Sequence, residues 1–232
     1  MEDKEINIDN LNRIIPKRIN NIFEVKISFC NKDITLKINC CAEFEIYNML
    51  CSIILVFNKK LQTNDLQIIS ELKNPSGRLE KIFDKKNIRV FIDYAHSPDA
   101  IAKVLSSLKK ITSGKLILVF GCGGDRDKLK RNQMTREALK YSDIIIITDD
   151  NPRFEDPRKI RDDMIRNLKS DDLRKIKVIG NREIAIKKAV NFLSEKDVLL
   201  IAGKGHENYQ LIKNKKKIFS DKITAKEYLK KK

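Results

Sequence analysis

Five short apolar runs punctuate the later part of this 232-residue chain: Ile88–Ile92, Leu116–Phe120, Ile144–Ile147, Ile176–Ile179 and Val198–Ile201. Most are apolar at successive positions, not at alternate ones. A strand of that kind must be covered on both faces, as in the middle of a parallel sheet. Between the runs lie segments of helical length at about 98–111, 127–141, 157–168 and 182–193. Strand and helix in regular alternation predict an α/β fold, a mostly parallel, doubly wound sheet flanked by helices. A short strand near Ile218-Phe219 and a helix from about 222 complete it.

The first third of the chain has another pattern. Residues 1–20 are polar and read as a loose lead-in. Phe23, Val25, Ile27 and Phe29 alternate with polar residues, as do Ile34, Leu36 and Ile38, with Asn31-Lys32-Asp33 between them. This predicts a β-hairpin. Ile46, Leu50, Ile53, Ile54 and Phe57 recur at helical spacing. A second helix fits Asn64–Leu72, with Thr63 as N-cap. Asn74-Pro75-Ser76-Gly77 is a turn cluster. A domain boundary is expected at about residues 75–87.

Lysine and arginine number 48 against 32 acidic residues, a net charge of +16. A basic nucleic-acid-binding domain is one class that such a charge suggests. The lysines, however, are spread along the whole chain. The densest runs, Lys213 with Lys215–Lys217 and the terminal Lys230–Lys232, have no interleaved aromatics and read as solvated surface. The first run is expected at a turn between two short strands. No specific nucleic-acid partner is expected. No apolar run reaches the ~20 residues of a membrane span, and the opening Met-Glu-Asp-Lys-Glu is too polar for a signal peptide. The five cysteines include no C-x-x-C. They read as reduced thiols of a cytoplasmic protein, with no zinc site.

In an open parallel sheet, ligands bind beyond the carboxyl ends of the strands. There the chain places Asp93-Tyr94-Ala95-His96-Ser97-Pro98-Asp99, Gly121-Cys122-Gly123-Gly124-Asp125-Arg126-Asp127, Thr148-Asp149-Asp150-Asn151-Pro152-Arg153 and Ala202-Gly203-Lys204-Gly205-His206-Glu207. Five of the eight glycines and both histidines fall in these four segments. Tight βα turns alone would account for one or two of them; four together predict a site. The fourth strand end, Gly180-Asn181-Arg182-Glu183, reads as unremarkable. Arg126 and Arg153 are planar forks for carboxylate or phosphate. Asp150 and Glu207 suit a ligand ammonium. The glycine-rich turn is not the dinucleotide fingerprint, because Arg126 stands where its third Gly belongs. Nothing matches G-x-x-x-x-G-K-S/T, so no triphosphate cradle of that kind is encoded here.

Read together and in order, Tyr47-Asn48, Gly77-Arg78-Leu79-Glu80, DYAHSPD, GCGGDRDKLKR, DDNPRFEDP and GKGHENYQ resemble the Mur ligases, in particular their diaminopimelate-adding branch. The resemblance runs from about residue 40 to the end. It implies that residues 76–232 are the Rossmann-like C-terminal, amino-acid-binding domain. Residues 1–75 are then a remnant of the central ATPase domain, a hairpin plus helices with no P-loop. By resemblance, Arg126, Asp150, Asn151, Pro152, Arg153, Gly203 and Glu207 bind diaminopimelate, and Asn48, Arg78, Asp93, His96 and Lys130 face the nucleotide. No complete catalytic set and no metal ligand is expected on this chain.

The implied chemistry is an ATP- and Mg2+-dependent amide-bond formation of peptidoglycan and cell-wall biogenesis, serving cell shape and division. It adds meso-diaminopimelate to UDP-N-acetylmuramoyl-L-alanyl-D-glutamate through an acyl phosphate. The chain is expected to be inactive without the missing regions, which a separately encoded partner half would supply. The alternative is a stand-alone module that binds diaminopimelate or a peptide containing it. The family pattern is broken at Ala42 and Glu45, where Gly and Asn are usual, and at Phe154.

Overall fold

A computed structural model describes residues 5–7, 11–19, 22–29, 32–57, 60–62 and 71–232. The chain divides into two compact units, Met1–Asn74 and Pro75–Lys232.

The second unit is built on a six-stranded sheet. Its strands are β6 (Glu80–Lys85), β7 (Ile88–Asp93), β8 (Leu116–Phe120), β9 (Ile144–Ile147), β10 (Ile176–Val178) and β11 (Val198–Ala202). Their spatial order is β10-β9-β8-β11-β7-β6. All neighbours are parallel except β6, which runs antiparallel to β7 with an irregularity between Lys81 and Phe83. The sequence pattern anticipated the five parallel strands and missed β6, whose Glu-Lys-Ile-Phe-Asp-Lys has only two apolar residues. An edge strand is half solvated, so it needs no continuous apolar run.

Successive strand residues face opposite sides of the sheet. Val90, Ile92, Val119, Ile146, Leu199 and Ile201 form one core with Ala185, Ile186, Ala189 and Val190 of α6 (Arg182–Phe192) and Ala225 and Leu229 of α7 (Asp221–Leu229). The intervening Phe91, Leu118, Phe120, Ile145 and Leu200 are equally buried on the other side. Helices α2 (Pro98–Lys109), α3 (Leu129–Tyr141), α4 (Pro157–Ile165) and α5 (Ser170–Arg174) complete the unit.

The helix expected over 157–168 ends earlier, and a separate short helix, α5, follows beyond it. The break comes after Ile165, where Asn167 takes a φ of +56°, a conformation asparagine tolerates better than most residues. The lysine-rich run is also not simply a turn. Lys215–Ile218 is a strand, β13, antiparallel to β12 (Tyr209–Ile212), and the turn is confined to Lys213-Asn214.

Caps set where the helices begin. Ser97 adopts an extended conformation and its hydroxyl accepts the Ala100 N–H, with Pro98 opening α2. Ser97→Ala is expected to cost about 1 kcal/mol, read as a lower urea midpoint for the second unit. An unchanged midpoint would show that Pro98 alone starts the helix.

In the first unit, β3 (Ile22–Phe29) pairs antiparallel with β4 (Lys32–Ile38), Phe23 opposite Ile38 and Ile27 opposite Ile34. This is the expected hairpin. The supposed lead-in is not loose, however. Leu11–Ile19 forms β2, which pairs with β3 as the third strand of the sheet. Pro16 sits in it opposite Val25, which an edge strand accommodates because its outer side needs no ladder donor. Strands β1 (Glu5–Asn7) and β5 (Lys60–Gln62) pair separately.

Phe23, Val25, Ile27, Leu36 and Ile38 pack with Ile46, Met49, Leu50 and Ile53 of α1 (Glu43–Phe57). Glu45 reaches back to the N–H groups of Cys41 (2.7 Å) and Ala42 (2.5 Å). It thus forms the returning half of a capping box. Its carboxylate is engaged within its own helix end. The helix expected over 64–72 lies almost wholly outside the described residues. Among the described residues no helix is long and apolar enough to cross a membrane.

Candidate functional site

The carboxyl ends of β7, β11, β8 and β9 are neighbours, so the loops that follow them meet along one edge of the sheet. The loop after β11 goes deepest. Gly203 (φ +109°) and Gly205 (φ +52°) turn the backbone on either side of Lys204, and the Lys204 side chain is fully enclosed. Its ammonium donates to Asn151 Oδ1 (3.1 Å) and Glu207 Oε2 (3.0 Å) and lies 3.8 Å from Asp150 Oδ1. Asn151 Oδ1 also accepts the Leu211 N–H (2.9 Å), and its Nδ2 donates to Glu207 Oε2 (2.9 Å). Two donors on one side of the amide and a carboxylate on the other assign its orientation.

Behind this group stands Arg182, at the start of α6. It is enclosed and makes a bidentate pair with Asp221, both bonds at 2.7 Å. It also donates to the Ala202 carbonyl (2.8 Å) and lies 4.0 Å from Asp150 Oδ2. Burial raises the Asp150 carboxyl above its ordinary range. Arg182 and Lys204 pull it down, while Asp221 and Glu207 push the same way as burial. The fourth strand end, expected to be unremarkable, therefore supplies the cation that anchors the group.

The rim is made by the loops after β8 and β9. Gly124 N–H donates to the Asn151 carbonyl (2.9 Å), and a Cβ there would lie 2.0 Å from the Pro152 carbonyl oxygen. At Gly121 a Cβ would lie 2.2 Å from the Thr148 carbonyl oxygen. Glycine is required at both positions by close approach of the backbones. Arg153 has a φ of +51°, and its backbone bonds to Leu211 and Lys213 of the β12–β13 hairpin. Its Nη1 donates to the carbonyls of Gly124 (2.8 Å) and Asn151 (3.4 Å). Its Nε and Nη2 make no hydrogen bond among the described residues, so one edge of the fork is held and the other has no protein partner there. Arg126 is exposed and its side chain is likewise unbonded among the described residues.

Glu155 links this rim to α3. Arg131 grips it through both guanidinium nitrogens (2.7 and 3.0 Å) and also reaches Asp163 (2.9 Å). That hold keeps the Glu155 carboxyl below its ordinary range. Pro152 is buried, and its carbonyl accepts the Glu155 N–H (3.1 Å).

The nucleotide-facing candidates of the second unit gather around Tyr94. The Arg78 guanidinium lies 4.5 Å above its ring. His206 stacks on it at 5.5 Å, and His96 meets it edge-on at 4.9 Å. Lys130 donates to the His96 carbonyl (3.2 Å). Asp93 is buried and committed to backbone. It accepts the N–H groups of Leu79 and Ala95, both at 2.7 Å, and burial raises its pKa in spite of them. Asn48 is exposed on α1 of the first unit.

Contributors to these clusters that the sequence did not single out include Lys204, Arg182 with its partner Asp221, Arg131 with Glu155 and Asp163, and Tyr94. Only Lys204 carried a usable signal, a lysine between two glycines at a strand end. Among the described residues no group of three or more His, Cys, Asp or Glu could hold a metal ion.

A sheet of this order, flanked by helices and with glycine-lined loops converging on buried charges at its carboxyl edge, is an α/β domain of the mostly parallel, doubly wound kind. Its sequence places the chain more narrowly: it belongs to the Mur ligases, residues 77–205 matching the family model "Mur ligase, glutamate ligase domain". It is 42% identical over 200 residues to the UDP-N-acetylmuramoyl-L-alanyl-D-glutamate–2,6-diaminopimelate ligase of Rickettsia conorii, covering 85% of this chain and 40% of that protein. The same-named protein of Aquifex aeolicus is 42% identical over 205 residues, covering 88% of this chain and 42% of that one. A solved structure of a ligase with this name superposes with a TM-score of 0.68 at 31% identity, over 94% of this chain and 45% of its own. The chain thus spans about 40% of the length of these curated relatives.

Proposed function

We propose that this chain supplies the amino-acid-binding part of a ligase that adds meso-diaminopimelate to UDP-N-acetylmuramoyl-L-alanyl-D-glutamate in peptidoglycan synthesis, in the bacterial cytoplasm. One observation carries the reading. Unbonded arginine edges and a buried carboxylate cluster share one sheet edge, in a chain 42% identical to relatives bearing that enzyme's name. Diaminopimelate has two carboxylates and two ammonium groups. Arg153, with Arg126 at the exposed rim, suits a carboxylate. Glu207, backed by Asp150 and Asn151, suits an ammonium. Gly203 gives close access, since a Cβ there would lie 2.7 Å from Asp150 Oδ2. Pro152 holds the turn between Asn151 and Arg153.

ATP and Mg2+ belong to the same reading. The groups the second unit offers are cationic and aromatic: Arg78, His96 and Lys130 about Tyr94 fit an anionic nucleotide, with Asp93 setting the loop. Asn48, read as nucleotide-facing by resemblance, lies on the first unit. The second unit's groups do not compose a magnesium site, because Asp93 spends both carboxylate oxygens on backbone N–H groups. When bound, ATP would activate the dipeptide carboxylate. This chain's part is to bind and orient the attacking amine, and positioning of that kind carries a large share of such a reaction. Residues 1–75 are read as the end of the central domain and residues 76–232 as the C-terminal domain. Turnover then requires the family's remaining regions, on a longer chain or a partner half.

The test is calorimetry of meso-diaminopimelate and of lysine on the whole chain, with Arg153→Ala. Loss of a charged hydrogen bond costs about 1.5–3 kcal/mol, so the variant should bind diaminopimelate about ten- to a hundred-fold more weakly. Lysine, lacking the second carboxylate, should bind weakly to both proteins. Equal binding of the two amino acids, or no effect of Arg153→Ala, would overturn the assignment.

A further inference from the structure

We propose that Lys204 is a positioning residue of this site: its ammonium holds the Asn151 amide and the Glu207 carboxylate in the one arrangement that leaves Glu207 Oε1 for an incoming amine. The proposal deepens the reading above and rests on it for the identity of the amine. The geometry is explicit. A flexible lysine is normally solvated, yet this one is fully enclosed, and the turn that admits it needs two glycines with positive φ on either side. A buried ammonium is costly unless its donors are used. Two of them are, on Asn151 Oδ1 and Glu207 Oε2, and Asp150 Oδ1 lies at 3.8 Å.

The consequence for Glu207 is directional. Oε2 accepts from both Lys204 and Asn151, whereas Oε1 has no hydrogen bond among the described residues. The carboxylate is therefore held by one oxygen and presents the other. Charge points the same way. Asp150, Glu207 and Asp221 face Lys204 and Arg182, three carboxyl groups against two cations, so the cluster carries no surplus positive charge to repel a cationic ligand. Without Lys204, Asn151 Oδ1 would retain only the Leu211 N–H, and Asp150 and Glu207 would confront each other across an uncharged gap.

The experiment uses the whole chain and Lys204→Met, which keeps an unbranched stem and removes the charge. The first readout is the Asn151 side-chain NH2 signal in the unliganded protein, by 15N NMR. It should move and exchange faster with water in Lys204→Met, while the amide signals of β8 and β9 stay in place. Lys216→Met is the control. Lys204 Nζ lies 5.6 Å from the centroid of the Tyr209 ring; Lys216 lies over the same ring, at 3.9 Å, but is exposed, and its loss should leave Asn151 unchanged. The second readout is calorimetry with meso-diaminopimelate, where Lys204→Met should bind about tenfold more weakly. If Lys204→Met does not fold, Lys204→Gln gives the same two readouts.

An unmoved Asn151 signal overturns the proposal whatever the ligand does. If the signal moves and affinity stays at the wild-type value, the role in ligand binding is overturned. If the wild-type chain does not bind diaminopimelate, the substrate reading of the previous section fails by itself, and the Asn151 signal still decides what Lys204 does.

Discussion

Arg182→Ala should lower the stability of the second unit by about 3–5 kcal/mol, the range found when one partner of a buried ion pair is removed. Both side chains of the Arg182–Asp221 pair are fully enclosed. Deleting the guanidinium strands the Asp221 carboxylate in the interior and leaves the Ala202 carbonyl without its donor. Part of the loss also falls on Asp150, which faces Arg182 and whose charged form burial already disfavours. Asp221→Ala should cost a similar amount, because it strands the guanidinium instead. The paired change Arg182→Met with Asp221→Leu should recover most of the stability, since a buried pair replaced by apolar groups of similar volume is often neutral. Urea titrations followed at the Leu118 and Leu200 amides would measure all three. A loss below about 1 kcal/mol, the ordinary value of a surface pair, would mean that the pair is hydrated in solution.

Gly77→Ala should be the next most damaging change, at about 3 kcal/mol. Two effects add. Gly77 has a φ of +72°, where a side chain costs roughly 1–2 kcal/mol. A Cβ there would also lie 2.2 Å from the His206 nitrogen and 2.4 Å from the Gly205 carbonyl carbon, and overpacking of this kind costs about 1–3 kcal/mol. The neighbours are backbone and cannot rotate away. The loop after Gly77 would have to part from the loop carrying Lys204, and the stack of His206 on Tyr94 lies at that contact. Thermal unfolding should show a Tm lower by roughly 6–12 °C. Gly180→Ala is the comparison. It has no positive φ, and its nearest neighbour is the end of the Arg161 side chain at 3.0 Å, which can give way. Its expected loss is under about 1 kcal/mol. Equal losses at the two positions would contradict the account of Gly77.

The parallel strands were legible because burial on both faces leaves a local mark, four or five apolar residues in a row at Leu116–Phe120, Ile144–Ile147 and Val198–Ala202. The edge strands β6 and β2 left no such mark. Strand β6 is half exposed, and β2 has a proline and four charged or amide side chains in Leu11–Ile19. Their strand character comes from a partner already in place, which no window of residues contains.

The site divides in the same way. Glycine-rich segments after the strands, with both histidines among them, mark the carboxyl edge of the sheet by sequence alone, because glycine at a strand end reports a backbone constraint that is local. Which charges meet there was settled only by folding. Arg182 lies 39 residues from Asp221, and Lys204 lies 53 residues from Asn151. Ion pairing has no sequence period, so nothing in either neighbourhood predicts its partner. The chain encodes strand order and turn chemistry through short-range pattern. The sheet crossover that inserts β11 between β7 and β8 is what turns a lysine, an asparagine and three carboxylates from separate loops into one charged cluster.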